Sequence, residues 1–384
     1  VRALVCEGPG TPSLEDVPVK EPGPGEVLVR VSLALTCGTD LKIARRGHPK
    51  FPYPLTLGHE WAGVVERAGE GAAWTKGTRV TSAVSAPCGE CPACRGGREN
   101  LCATAFDRPL FGAFADFLLV PAPLARKGLR RIPHGMADEA AALLDPLASA
   151  VHGLGRVPDP QGQNVLIAGT GPIAALLFLL LRGEGDGREK AKRDGAARRI
   201  VVAGRREERL GFFLERGAGG ARIGSGSHEA GTGAQPPVAL NEDPPVPSRI
   251  DPSSRPDGAI PLFTFNESPP VPLSFPLVID TTGDPGVIEA LTALTANGGT
   301  VLLFAGLPAE ARVAVDAHAV HYREVSVVGS FHYTPREADE ALALLASGAI
   351  PAGEIVSARR PLADWRAAFD LSRAGTALKV ALVP

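Results

Sequence analysis

Four cysteines fall within fifteen residues, as Cys88-x2-Cys91-x2-Cys94-x7-Cys102. No other feature restricts the fold so tightly. The spacing puts four thiolates on one compact loop, and four thiolates around one zinc complete its tetrahedron with no exchangeable position. The expected site is structural, with Cys88, Cys91, Cys94 and Cys102 as ligands. A nucleic-acid-binding zinc ribbon would need paired knuckles on a basic face. This loop carries Pro87, Gly89, Glu90 and Glu99, and the net charge of the chain is −2. That balance gives no electrostatic case for nucleic acid or an anionic membrane as a partner. All six cysteines lie in the first 102 residues, in a pattern that fits metal ligation better than disulfides, which points to the reducing cytoplasm. The longest apolar run, 172–181, is too short to span a bilayer, and residues 1–10 lack the order of a secretory signal.

A second metal environment precedes the first. Cys37 follows a strand and starts the turn Cys37-Gly38-Thr39-Asp40, and His59 stands in Gly58-His59-Glu60. A catalytic zinc keeps about three protein ligands and one open position. Cys37 and His59 supply two. The third is a carboxylate: Asp145, in Leu144-Asp145-Pro146-Leu147, or Glu60, exchanging on and off the metal. Asp40 is placed to accept a hydrogen bond from the free ring nitrogen of His59 and so fix its tautomer.

The 384 residues suffice for two domains. Residues 1–150 read as short β runs broken by Gly and Pro (3–7, 27–35, 61–68, 79–83 and 115–120), the pattern of a small β-barrel-like domain. At Asn164 the texture changes. Strand runs at 164–169, 200–204, 277–282, 300–306 and 325–331 alternate with helical segments at 172–181 and 285–294, which implies a doubly wound parallel sheet. Helices at 335–347 and 362–372 and a strand at 377–383 close the chain. Two stretches disturb this order. Residues 183–199 are rich in Gly and charge, and residues 224–276 hold 12 of the 36 prolines. Proline at that density excludes helix and central strand, so 224–276 reads as a loop-like insertion where a third strand and its helix would normally lie.

Gly169-x-Gly171-x-x-Ala174 falls between a strand and a helix, the setting of a dinucleotide fingerprint. Gly169 permits the tight turn, Gly171 lets the backbone approach a pyrophosphate, and Pro172 and Ile173 open the helix whose N-terminus faces it. The next strand ends Ala203-Gly204-Arg205-Arg206. Gly204 stands where a carboxylate would select a ribose hydroxyl, and Arg205 and Arg206 suit a 2′-phosphate, so NADP(H) is favoured over NAD(H). Cys6 reads as strand core and His152 as structural. His134, His318, His321 and His332 match no motif.

Cys37-Gly38-Thr39-Asp40, Gly58-His59-Glu60, the four-cysteine lobe and Phe111-Gly112-Ala113-Phe114-Ala115-Asp116, in this order, resemble the zinc-containing medium-chain alcohol dehydrogenases, and among them the polyol and threonine dehydrogenase branches. The resemblance covers 1–182, 200–223 and 277–384. It implies a GroES-like β-barrel catalytic domain (1–150, completed by 330–384) and a Rossmann domain (151–329), with the active site in the cleft between them. It also implies two zincs per chain, one catalytic and one structural, and hydride transfer between a secondary alcohol or polyol and NAD(P), giving a ketone or aldehyde. In the family the hydroxyl matching Thr39 relays the alcohol proton. A histidine often continues the relay three residues on, where this chain has Lys42; His48 is the substitute at hand. By analogy the chain is a homodimer or homotetramer. The rival is a non-catalytic, nucleotide-binding or regulatory member of the same fold. Intact Cys37, His59 and Thr39 speak against it, and the insertion speaks for it.

Overall fold

The computed structural model describes residues 1–47, 51–107, 109–160, 162–183, 199–205, 209–222, 263–264 and 274–384. Most of 183–199 and of 224–276, together with His48 and Arg206, lies outside them. The chain forms two compact units. One comprises Val1–His152 and Phe331–Pro384 with Arg182 and Gly183, and the other comprises Gly153–Leu181 and the described part of Lys190–Ser330.

In the first unit a sheet runs in the order Val356–Pro361, Lys379–Val383, Val27–Leu35, Glu60–Ala68, Arg79–Ser82, Leu129–Arg131, and Phe117–Val120 also pairs with Val27–Leu35. Val27–Leu35 is the spine. Seven of its nine residues are buried, a two-sided pattern that marks a central strand. Its antiparallel register with the next strand pairs Leu35 with Glu60, so Cys37 and His59 leave the sheet at the same end. On its other side Leu35 pairs with Ala381, and Thr36 continues the ladder through bonds to the backbone of Val380 (2.9 and 3.1 Å). Lys379 thereby lies beside Cys37. Trp61, Phe114, Trp365 and Phe369 fill the core behind this edge. A smaller sheet of Pro12–Asp16, Arg2–Cys6 and Leu55–Thr56 includes Cys6, which is buried as strand core.

The second unit is a seven-stranded sheet whose described pairings are all parallel. The order is Phe263–Thr264, Gly219–Arg222, Ile200–Gly204, Val165–Ala168, Phe275–Asp280, Thr295–Leu303, Ser326–Gly329. The chain winds outward from Val165–Ala168 and then returns to pair on its other side. This reversal makes the C-terminal end of Val165–Ala168 the switch point where ligands of such sheets bind. The loop-like insertion does not replace the third strand, which precedes it at Gly219–Arg222. Gly-Gly-Ala-Arg has neither alternation nor β-branched residues, which hid it. Phe263–Thr264 does fall in that stretch, so the stretch is not loop throughout, and it lies at the outer edge of the described sheet. Pro276 sits within a central strand, and the ladder shifts register there, between Phe275 and Leu277.

Helix Pro172–Arg182 packs on this sheet with Ala174 to Leu179 buried. Phe178 meets Phe213 edge-on at 5.5 Å, and both are fully enclosed. Truncating such a ring leaves a cavity that a close-packed interior only partly refills. Phe178→Ala is expected to cost about 3–5 kcal/mol, read as a lower urea midpoint with an unchanged denaturant slope.

Candidate active site

Helix Pro92–Arg95 starts at Cys91 and carries Cys94, and the turn Glu99–Leu101 delivers Cys102 back to the same point. The four sulfurs of Cys88, Cys91, Cys94 and Cys102 gather within 4.8 Å of one another. Cys91–Cys94 are 3.5 Å apart and Cys88–Cys94 3.9 Å. Sulfurs at the corners of a tetrahedral zinc site lie about 3.8 Å apart, given a Zn–S bond near 2.3 Å, and a disulfide needs about 2.05 Å. The lobe therefore fits a metal and not a crosslink. Backbone N–H groups of Glu90 and Cys91 point at Cys88 Sγ (3.4 and 3.3 Å), and that of Cys88 points at Cys102 Sγ (3.3 Å). Burial pushes the Cys94 thiol up to about 12. Burial acts on Cys102 too, but hydrogen bonds from Cys88 and Thr104 outweigh it and bring that thiol to about 6. Ionising all four sulfurs at one point would need a cation among them.

Cys37 caps helix Gly38–Arg46, which is continuous where the sequence reads as a turn. Asp40, in its first turn, is fully buried, accepts from Gly58 N–H at 3.1 Å, and lies 3.2 Å from His59 Nδ1. A proton on Nδ1 satisfies that contact and leaves Nε2 free for a metal. Gly58 has φ +93°, and a Cβ there would sit 2.6 Å from Phe114 N, so only glycine can precede His59 in this turn. The Phe111 ring lies 5.0 Å from the imidazole.

Cys37, Asp40 and His59 form one group of potential ligands within 4.8 Å, and His59, Glu60 and Asp145 form another. His59 belongs to both. Burial pushes the Cys37 thiol up, but the Lys379 ammonium and His59 bring it down to about 6. Burial pushes Glu60 up while the Lys379 ammonium pulls it down, and burial also raises Asp145. Asp40 Oδ2 is buried without a hydrogen-bond partner. The sulfur, nitrogen and oxygen donors of these two groups are of the types that zinc prefers. Thr39 is half-buried two residues past Cys37, while Lys42, one turn further, is exposed.

Two residues that sequence reasoning missed complete the surroundings. Lys379 is buried and its Nζ donates to Glu60 Oε2. Tyr333 is buried and its hydroxyl donates to Asp145 Oδ1. His332, which matched no motif, carries φ +58° and holds Ser85 Oγ at 2.6 Å from Nε2. His152 lies 2.8 Å from Glu337 Oε1 through Nδ1.

In the other unit, Gly169 leaves Val165–Ala168 with φ +113°, and a Cβ on it would come within 2.1 Å of Thr281 Oγ1. Open space lies above Gly171. The first helical bond runs from Ala175 N–H to Gly171 O, which leaves the preceding N–H groups of Ile173 and Ala174 for an anion. Gly204 ends its strand, and Arg205 is exposed just beyond.

A family model for the alcohol dehydrogenase GroES-like domain matches residues 23–128. D-altritol 5-dehydrogenase of Agrobacterium fabrum is 30% identical over 366 residues, 92% of this chain and 91% of the relative. The chain belongs to the zinc-containing medium-chain alcohol dehydrogenase family. L-threonine 3-dehydrogenase of Coxiella burnetii is 26% identical over 377 residues, 96% and 95% of the two chains. A Sinorhizobium meliloti protein described as a zinc-binding dehydrogenase and solved bound to NADP superposes with a TM-score of 0.75 at 28% identity, covering 100% of this chain and 99% of its own. Alcohol dehydrogenase of Thermus sp. ATN1 gives 0.76 at 25% identity, covering 100% of each. This medium-chain dehydrogenase therefore pairs a GroES-like domain with a Rossmann sheet, and it is an alcohol oxidoreductase rather than a nucleotide-binding protein without turnover. No helix among the described residues is long and apolar enough to cross a membrane.

In this dehydrogenase burial, with His152 adding to it, pushes the His332 imidazole down to about 4. The folded value lies below the unfolded one of about 6.5, so the unfolded chain binds the extra proton between them. This contribution to stability is present above about 6.5 and is lost as the pH falls toward 4. His332→Asn, which tolerates the left-handed backbone, is expected to flatten that slope in urea midpoints measured across this window.

Proposed function

We propose that this chain is a zinc-dependent, NADP(H)-linked dehydrogenase of secondary alcohols or polyols, with Cys37, His59 and Asp145 as ligands of a catalytic zinc. The observation that carries the reading is the convergence of a thiol, an imidazole and three carboxyl groups, in two groups that share His59. Zinc held there supplies Lewis acidity toward an alcohol oxygen. Asp40 keeps the His59 proton on Nδ1. Glu60, tied to Lys379, stands by as an exchanging ligand, and Tyr333 orients Asp145. The Thr39 hydroxyl is the group that would accept the alcohol proton while passing on its own, and a bound nicotinamide would supply the hydride acceptor.

Cys88, Cys91, Cys94 and Cys102 hold a second, structural zinc. Gly169, Gly171, Pro172 and Ile173 form the pyrophosphate turn. Gly204 sets no carboxylate against a 2′-phosphate, and Arg205, with Arg206, pairs with it. The names of the relatives, a polyol and a threonine dehydrogenase, support a secondary hydroxyl flanked by polar groups as substrate. We further propose a catalytic domain of 1–150 and 330–384, a nucleotide domain of 151–329, a cytoplasmic location and a homodimer or homotetramer. Supporting the last, Ser326–Gly329 ends the sheet with its outer edge unpaired among the described strands and Val327 exposed.

Elemental analysis is expected to find two zincs per chain. Cys37→Ser is expected to retain the fold and one zinc and to lose alcohol oxidation by more than about a hundredfold, the share that several kcal/mol of charge stabilisation represents. One zinc in the unaltered chain, with no turnover of polyols or secondary alcohols, would overturn the reading. Arg205→Asp is expected to lower the ratio of kcat/KM for NADP over NAD by at least about tenfold, the loss of one charge-assisted contact. An unchanged ratio would return the preference to NAD.

A further inference from the structure

Asn100 lies in the turn that leads into Cys102 and is buried. Its side-chain amide donates to the Phe331 carbonyl at 3.0 Å and reaches His152 Nε2 at 3.4 Å. With Nε2 accepting, the His152 proton resides on Nδ1, 2.8 Å from Glu337 Oε1. Glu337 Oε2 in turn accepts from the Thr334 N–H and hydroxyl at 2.6 and 2.8 Å. One tautomer satisfies every member of this circuit. His152 lies on the same helix, Leu144–Gly155, as Asp145.

The circuit grips both ends of a strained segment. Phe331 is held by Asn100 and Thr334 by Glu337. Between them His332 has φ +58°, a conformation non-glycine residues seldom adopt, which the surroundings must enforce. Ser85 pins its ring, and the ring lies 4.2 Å from that of Tyr333. The Tyr333 hydroxyl receives Val84 N–H at 3.3 Å and donates to Asp145. Val84, Ser85 and Asn100 all belong to the stretch that carries the four cysteines. Tyr333 is therefore aimed by the lobe, although no cysteine touches it among the hydrogen bonds described.

We propose that Asn100 is a positioning residue that transmits the order of the four-cysteine lobe to the Tyr333–Asp145 hydrogen bond, and through it sets the metal affinity of the Cys37–His59–Asp145 site. The inference rests on the metal-binding role proposed above for those three residues. It makes the structural lobe a determinant of the catalytic centre as well as of stability. A local staple, by contrast, would confine the effect of Asn100 to the lobe.

The test is zinc competition with a chromogenic chelator on the full-length holoprotein. The zinc that Cys37→Ser removes defines the site of interest, and retention of the other zinc shows an intact lobe. Tyr333→Phe is expected to weaken the first of these about tenfold, the usual cost of losing a ligand's hydrogen-bond partner. Asn100→Ala is expected to weaken it about three- to tenfold, and the double variant no more than Tyr333→Phe alone, because both act through one bond. Should Asn100→Ala fail to fold, the near-isosteric Asn100→Asp, which cannot donate to Phe331, takes its place in the same cycle. An unchanged affinity in the Asn100 variant, or a double variant whose loss is the product of the single losses, overturns the proposal. A wild-type chain with one zinc, unaltered by Cys37→Ser, overturns the metal reading and this inference with it.

Discussion

Leu35 faces Glu60 on one side of the central strand and Ala381 on the other, and the candidate centre hangs from that double register. Cys37 lies two residues past the end of one ladder, His59 one residue before the start of the next, and Lys379 two residues before Ala381. A slip of one residue in either pairing would turn the inward set of side chains outward. The buried apolar residues on Val27–Leu35 make such a slip costly, so the hydrophobic core sets the geometry of the polar site without touching a substrate.

That polar site is unusual in its concentration of buried charge. Asp40, Glu60, His59 and Lys379 are all withdrawn from water. A buried ammonium is tolerable because a carboxylate faces it, and the pair survives because both partners are enclosed by the same strands. Placing Lys379 against Glu60 also lowers the Cys37 thiol toward its ionised form. The ion pair thus prepares the sulfur for a cation while occupying one oxygen of the carboxylate that would compete for it.

Local motifs made much of this arrangement readable. The four-cysteine spacing, the Gly58-His59-Glu60 turn and the Gly169 turn are each short enough that neighbouring residues determine the geometry. Strands Val27–Leu35 and Ile200–Gly204 and helix Pro285–Leu294 appear with the bounds that periodicity assigns. Lys379 and Tyr333 escaped because nothing near them in sequence marks them. Lys379 stands in an ordinary β run, and only the pairing of Lys379–Val383 with Val27–Leu35 brings it to Glu60. Tyr333 follows a backbone strain that no pattern of residue types reveals. Gly219–Arg222 was hidden for another reason: its place in the sheet comes from its parallel neighbours and not from its own propensity.

Lys379 follows Glu60 by 319 residues in the chain. A nascent polypeptide emerging from the ribosome would therefore make the carboxylate, the imidazole and the thiol long before their counter-ion exists. Until the strand bearing Lys379 docks, closing the barrel edge means enclosing Glu60 without a charge partner, which the low dielectric of the interior penalises. Among the described strands of this sheet, Lys379–Val383 is the last in the chain, so the ion pair joins the earliest part of the site to its latest.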